Sequence, residues 1–245
     1  MCCCGTFRPT SVSVPVVIPD VLDIMAASEI VAGWDAADLA ASPVALWPDA
    51  SGNGFDLAQA VGASQPTWTA AGGANGQPSV LFDGSDDFMA NAALNLPAPG
   101  TTPSFYWVVL RQVTWNGPGF GTLTETTTSG LGIYQGGISP ELIQYNTADS
   151  NNTNGLTLNV YKRLVAFWNN AISDYIQAGS VVGTGVNSGN KDPGAGFYLG
   201  SGIGGAFPGN FEVCEFWIFN VEPSPAQKTL LDAYASNRYG ASVLT

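Results

Sequence analysis

Residues 104–113, SFYWVVLRQV, read as a strand that is apolar on both faces. Side chains alternate in extended backbone, so Phe105, Trp107, Val109 and Arg111 point one way while Tyr106, Val108 and Leu110 point the other. Such a strand has no face to give to water. One side must line a core, and the second requires a covering loop, helix or partner chain. The stretch NFEVCEFWIFN at 210–220 is of the same kind. Strict alternation there places Phe211, Val213, Glu215, Trp217 and Phe219 on one side, with Glu212, Cys214, Phe216 and Ile218 opposite. Cys214 then reads as a small buried hydrophobe, not a reactive thiol.

Around these two strands the chain is cut into short pieces. It holds 30 glycines and 16 prolines in 245 residues, which favours many turns over long helices. IVAGWDA and VALWPD supply the first strands, followed by PSVLFDG, where Val80 and Phe82 share a face, and DDFMA. GFGTLTET, GLGIYQGG, ELIQYNT, RLVAFWN with its return AISDYIQAG, and GAGFYLGSG complete the set, with Asn169-Asn170 as a turn. The stretch DSNNTNG, Asp149 to Gly155, is the most polar loop and the candidate for mobility.

One helix is well specified. Ser224 can cap it, Pro225 occupies the first turn, Gln227 completes a capping box and Gly240 offers a stop. Leu230, Leu231 and Tyr234 form its apolar stripe. Full burial of the stripe would contribute about 2 kcal/mol per side chain against about 1 kcal/mol for the cap, so docking rather than propensity holds this helix. A length of 245 residues can bury one large core. We therefore expect a sandwich domain over 29–245 preceded by an N-terminal arm, 1–28. In the arm, Pro15 and Pro19 each remove a backbone donor, which predicts a polyproline-like or edge segment.

Charge excludes several classes of partner. Seven Lys plus Arg stand against 19 Asp plus Glu, a formal net charge of -12. Nucleic acid and an anionic membrane surface both require cations that this chain lacks. No apolar run of roughly 18 residues is present to insert into a membrane, and the start MCCCGTFRPT lacks the apolar region of a secretory signal. Cys2, Cys3 and Cys4 are adjacent, about 3.8 Å apart at Cα, too close for the roughly 4.4–6.8 Å of a disulfide. A chain made in reducing cytosol fits this usage, with contacts between chains through the triplet left open. There is no histidine, no serine in a G-x-S-x-G elbow, and no lysine after the glycine groups at 183–185 and 202–205. A standard hydrolase triad and a phosphate loop are both excluded.

The order of short motifs resembles the concanavalin A-like, laminin-G-like jelly-roll superfamily, in the form found in phage and bacterial surface proteins. The matching pieces are Trp34-Asp35-Ala36, Trp47-Pro48-Asp49 with Ser51-Gly52-Asn53-Gly54, the run from Pro78 to Phe88, and Phe197 to Gly200. Phe207-Pro208-Gly209, EFWIFN and the helix ending Asn237-Arg238-Tyr239-Gly240 follow, so the likeness covers roughly 30–241. It implies an all-β, two-sheet antiparallel jelly-roll sandwich with a short C-terminal helix and an extended N-terminal arm. Members include lectins, carbohydrate-binding modules, glycan hydrolases, adhesion domains and virion proteins, and fold does not choose among them. The acidic chain, the lack of a signal and the arm point to a non-enzymatic virion component: a capsid decoration, fibre or tail-associated protein. It would be made in the host cytoplasm, reside in the virion, and have other virion subunits or copies of itself as partners. The alternative is a carbohydrate-binding receptor-recognition module with a surface glycan as partner. A glycoside hydrolase is the third reading.

Candidate site residues follow from chemistry. A glycosidase needs two carboxylates about 5 Å or 6.5–9.5 Å apart on one sugar. The odd spacing of Glu212 and Glu215 sends them to opposite strand faces, and Glu125 and Glu141 lack an acidic neighbour, so no catalytic residue is assigned. Asp49, Asn53 and Asp56 form one oxygen-rich group around a glycine turn and Asp83, Asp86 and Asp87 a second, both suited to calcium as a possible cofactor. Asx-turn capping explains both groups without an ion. Trp107, Trp168 and Trp217 lie inside strand patterns and read as core. Trp68 and Trp115 sit near turns and, with Tyr134 and Tyr145, are the candidate ligand-binding aromatics.

Overall fold

The computed structural model describes residues 18–99, 101–115, 121–127, 130–135, 142–145, 149–153, 155–169, 175–183 and 192–245. The first strands are β1 (Ile30–Asp35), β2 (Leu46–Trp47), β3 (Leu57–Ala58), β4 (Thr67–Thr69), β5 (Ser79–Asp83) and β6 (Met89–Asn95). Next come β7 (Ser104–Gln112), β8 (Thr122–Thr126), β9 (Gly132–Gln135), β10 (Leu142–Tyr145) and β11 (Asp149–Thr153). The last are β12 (Lys162–Trp168), β13 (Tyr175–Ala178), β14 (Val181–Gly183), β15 (Ala195–Leu199) and β16 (Asn210–Phe219). Two helices, α1 (Val21–Ile24) and α2 (Pro225–Tyr239), flank them.

The strands form two antiparallel sheets, as expected of a jelly-roll sandwich. The first runs β14-β13-β12-β7-β16-β5-β4, with β1 alongside the second half of β16. The second runs β11-β10-β9-β8-β15-β6-β3-β2. The two faces of β7 part as alternation predicts. Tyr106, Val108 and Leu110 join Trp34, Trp47, Phe82, Ile133 and Phe197 in the core between the sheets. Phe105, Trp107 and Val109 enter a separate cluster with Phe167, Leu231, Tyr234 and Tyr239, beneath α2. Trp34 on β1 stacks on Phe197 of β15 at 5.4 Å, and Gln144 of β10 donates to the Phe167 carbonyl at 2.6 Å, so apolar and polar ties both link the sheets.

The helix forms as its caps dictate. Ser224 Oγ accepts from Gln227 N at 3.3 Å while Gln227 Oε1 accepts from Ser224 N at 2.9 Å, and Gly240 ends the helix at φ 87°. Its buried stripe is Leu231, Tyr234, Ala235 and Tyr239. Leu230, expected in that stripe, is 40% exposed, because the helix leans on the sheet through the neighbouring row of side chains.

Strict alternation fails in β16. The β7–β16 register shifts between Val213 and Glu215, so that Val213 faces Leu110 and Glu215 faces Val109. Cys214 is the extra residue of a β-bulge. Phe216 and Ile218 therefore follow Phe211 and Val213 into the inter-sheet core, while Cys214, Trp217 and Phe219 face α2. Glu212 and Glu215 consequently share the helix side, correcting the expectation that they point apart. Glu212 meets the Arg111 guanidinium and accepts from Ser79 Oγ at 2.5 Å. Glu215 accepts from Tyr239 OH at 2.6 Å, Trp217 Nε1 at 2.6 Å and Tyr234 OH at 3.0 Å. Arg238 lies 3.5 Å from Glu215 and 2.6 Å from Asp35. Cys214 is buried as expected, and burial pushes its thiol up to about 12.

Two other segments differ from expectation. DSNNTNG supplies a strand, β11 over Asp149–Thr153, antiparallel to β10. Asparagine and aspartate are poor strand formers, but backbone pairing at a sheet edge overrides propensity. In the arm, Asp20 caps the one-turn helix α1 by accepting from Asp23 N at 3.0 Å, and Val21, Ile24 and Met25 bury in the cluster beneath α2. Residues 18–28 are thus a docked turn of helix instead of an extended strap. Residues 1–17, with the cysteine triplet and Pro15, lie outside the described residues, as does Asn170.

The glutamate beneath α2 makes stability pH-dependent. Burial, with Asp35 adding, pushes Glu215 from 4.5 to about 7, against the pull of Arg238, the Tyr239 hydroxyl and the Trp217 indole N–H. The folded state therefore holds this proton more tightly than the unfolded one. Stability is highest below about pH 4.5 for this group, falls as pH rises towards about 7, and is flat beyond. In urea melts across that range, E215Q should reduce the slope of stability against pH; an unchanged slope would contradict the assignment.

Candidate functional site

The outer face of the second sheet carries a cavity of about 340 Å³. In β9 and β10, Ile133, Leu142 and Gln144 point into the sandwich, which turns Tyr134 and Tyr145 outward. Tyr134 pairs with Thr122 of β8 on one side and Ile143 on the other, and Tyr145 pairs with Gly132. The two tyrosine rings meet at 6.1 Å and 64°, edge to face. Opposite Tyr145, Gly132 has no side chain. A Cβ built there would make only ordinary contacts, 3.6 Å from the Thr124 carbonyl and 3.9 Å from Tyr145, so the cavity floor is open.

The far wall comes from the loop before β16. Glu125 of β8 accepts from Ile203 N at 2.9 Å and so holds the turn Ile203–Gly205. Gly204 and Gly205 adopt φ of 65° and 85°, which the turn requires. The turn delivers Phe207, whose carbonyl accepts from Thr122 N at 2.9 Å. Phe207 is 53% exposed and has φ of 53°, a left-handed conformation costly for an aromatic residue. Three aromatic rings and one carboxylate thus surround an open cavity. This set can stack on the apolar face of a polyhydroxylated ring and accept hydrogen bonds from its hydroxyls.

Of the aromatics expected in a ligand site, Tyr134 and Tyr145 line this cavity, and Trp68 and Trp115 do not. Trp68 lies on β4 at the end of the first sheet, half-buried against the core, donating from Nε1 to the Ala36 carbonyl at 2.8 Å. Trp115 is half-buried just past β7. Sequence reading missed Glu125, Phe207, Ile203 and Gly132 as wall residues. Phe207-Pro208-Gly209 was visible as a motif, but its positive φ and its bond to β8 are properties of the folded loop.

The two oxygen-rich groups separate. Asp49 accepts from Gly33 N, Ser51 N and Phe55 N, each at 3.0 Å, and Asp56 accepts from Asp49 N at 2.8 Å. Asn53 donates to the Ile30 and Val31 carbonyls at 3.0 and 3.1 Å. These three side chains hold a loop against β1. Asp83, Asp86 and Asp87 instead bring carboxylate oxygens within 4.8 Å of one another, a set that could coordinate a metal ion. Asp83 accepts from Ser85 N at 2.7 Å and Asp87 from Asp83 N at 3.1 Å, which folds the turn inward. Burial, with Asp83 and Asp86 adding, pushes Asp87 up to about 6.

No family model matches the chain, and no curated protein matches it in sequence. Solved structures share its fold. Trypanosoma rangeli sialidase in complex with sialic acid is 12% identical with a TM-score of 0.61, over 92% of this chain and 36% of the sialidase. An arabinofuranosidase complexed with arabinofuranosyl-α-1,2-xylobiose is 14% identical with a TM-score of 0.62, over 88% of this chain and 60% of the enzyme. A GH54 α-L-arabinofuranosidase soaked with a cyclic sulfate inhibitor gives 15%, 0.58, 88% and 60% in the same order. The chain therefore spans between about a third and three-fifths of these proteins. At such identities the likeness shows a shared sandwich fold and nothing finer.

That likeness corrects the functional expectation. The sialidase and arabinofuranosidases named above are carbohydrate-active enzymes and none of them is a virion protein, so the assignment to a virion component, with its virion location, loses its ground. The non-enzymatic expectation loses its ground as well, because glycosidases carry the same fold and the fold therefore excludes no enzymatic chemistry. No helix among the described residues is long and apolar enough to cross a membrane.

The bonding of Asp49 distinguishes structure from metal binding. D49A should lose about 2 kcal/mol of stability, equally with and without chelator, since it strands three backbone donors. A loss seen only without chelator would instead assign this loop a cation.

Proposed function

We propose that this chain is a carbohydrate-recognition domain of the concanavalin A-like, laminin-G-like kind, taking a glycan on the outer face of its second sheet. The observation that carries the reading is Phe207, an exposed aromatic held at positive φ beside the Tyr134–Tyr145 pair. Exposed rings normally lack such constraint, and a backbone outlier next to an open cavity is where a functional cost is expected. The occupants named for the fold's other carriers, sialic acid and an arabinofuranosyl-xylobiose, support a sugar as the ligand class. Tyr134, Tyr145 and Phe207 stack on the ring, and Glu125 takes its hydroxyls.

A glycan array probed with the full chain tests this. One or more glycans should bind, and Y134A, Y145A or F207A should each weaken binding about tenfold, the loss of roughly 1–2 kcal/mol of stacking. Retained binding in all three with loss in W68F would move the site to the end of the first sheet. Analysis of the bound glycans for cleavage products shows whether recognition is accompanied by hydrolysis.

The aspartate turn is proposed as a calcium site, on the support of its converging carboxylates and the raised Asp87. A cation relieves the mutual repulsion, and hard oxygens suit calcium. Millimolar calcium should raise Tm at about pH 7.5, and the rise should shrink below about pH 6 as protons compete for Asp87. D87N should abolish it. No shift with calcium at about pH 7.5 rules the site out.

A further inference from the structure

Resting on the glycan reading of the second sheet's outer face, we infer that its cavity takes uncharged sugars and turns away those that bear a carboxylate, with Glu125 setting the preference.

The molecule divides its charge between its layers. Of the seven basic residues, Arg111 sits on β7, Lys162 and Arg163 on β12, and Lys228 and Arg238 on α2, so these belong to the first sheet or the helix packed on it. Arg8 and Lys191 lie outside the described residues. The strands of the second sheet hold no lysine or arginine. The described cations are also engaged where they stand: Arg111 with Glu212, Arg163 with Asp232, Lys228 with Glu222, Arg238 with Asp35, and Lys162 with the Thr245 carbonyl. The core between the sheets separates them from the cavity. Among the described residues, the outer face of the second sheet therefore has no cation to offer. In a chain of net charge -12, an anion approaching that face moves against the field of the whole molecule.

Inside the cavity the single charged side chain, among the described residues, is Glu125. It is half-buried on the wall, and its Oε2 is fixed by Ile203 N at 2.9 Å. Gly202 leaves room for this placement, since a Cβ there would come within 2.6 Å of that oxygen. Oε1 accepts no hydrogen bond among the described residues and is left for the ligand. A sugar hydroxyl can donate to it, a charge-assisted bond stronger than one between neutral groups. A ligand carboxylate has no proton to give at neutral pH and meets Glu125 as a like charge. The other polar side chains of the wall, Thr122, Tyr134 and Tyr145, carry hydroxyls. These serve a sugar hydroxyl as well as a carboxylate, and so give the acid no advantage. Selection then works by rejecting the wrong partner through one fixed charge.

The test is a glycan array of matched pairs, each neutral glycan beside the form of it that bears a sialic or uronic acid, probed with the full chain. Titration calorimetry follows for each pair whose binding is lost in Y134A. The neutral member should bind at least about tenfold tighter at low salt, and about 0.5 M sodium chloride should narrow the gap by screening the repulsion. E125Q keeps an oxygen for Ile203 N but removes the charge, so the ratio within a pair should fall to about threefold or less. A merely structural role for Glu125 would weaken both members alike and leave that ratio unchanged. Equal or tighter binding of the acidic members, or a ratio that survives E125Q, overturns the preference while the glycan reading stands. A blank array fails the glycan reading itself, and the preference with it.

Discussion

The antiparallel pairing of β7 with β16 is the constraint on which the molecule rests. Both strands are apolar on both faces, and burying them on both sides forces a layer above and a layer below. The second sheet covers one side through Trp34, Phe197 and Ile133. The helix α2 and the turn α1 cover the other through Leu231, Tyr234, Tyr239, Val21 and Ile24. Because the first sheet is covered on both faces, the outer side of the second sheet is, among the described residues, the broad uncovered surface of the fold. The cavity bounded by Tyr134, Tyr145 and Phe207 lies there.

One residue redirects the electrostatics. The bulge at Cys214 turns Glu215 towards α2, where three side-chain donors and Arg238 surround it. A buried carboxylate is costly unless its lone pairs are matched. Here the matching groups come from β16 itself and from the last turns of α2, so the carboxylate joins sheet and helix. Glu212 shares the same side but is committed to Ser79 and Arg111. Two acids on one face are thus separated in function by their partners, and each is spent on architecture.

Legibility in the sequence followed the range of the interaction. The faces of β7, the cap and stop of α2, and the burial of Cys214 depend on residues close in the chain, and all read correctly. The faces of β16 beyond Val213 did not, because a bulge depends on register with a partner strand a hundred residues earlier. Asp49, Asn53 and Asp56 resembled Asp83, Asp86 and Asp87 as oxygen-rich turns. They differ because the first group meets the backbone of β1 and its own loop, whereas the second folds on itself. The likeness in motif order carried the fold correctly and the virion assignment wrongly, as fold is shared far more widely than function.

What the sequence determined alone was periodicity and punctuation: a sandwich of short strands around two doubly apolar ones, closed by a capped helix. Those are consequences of side-chain alternation and local backbone preference, which act within a few residues. Only the tertiary structure decided which surface stays open, that Phe207 is fixed beside two tyrosines from another part of the chain, and that Trp107 and Arg163 share a groove beneath a helix more than sixty residues away. Such convergence depends on sheet register and layer packing, where free energies come from contacts that no local pattern encodes.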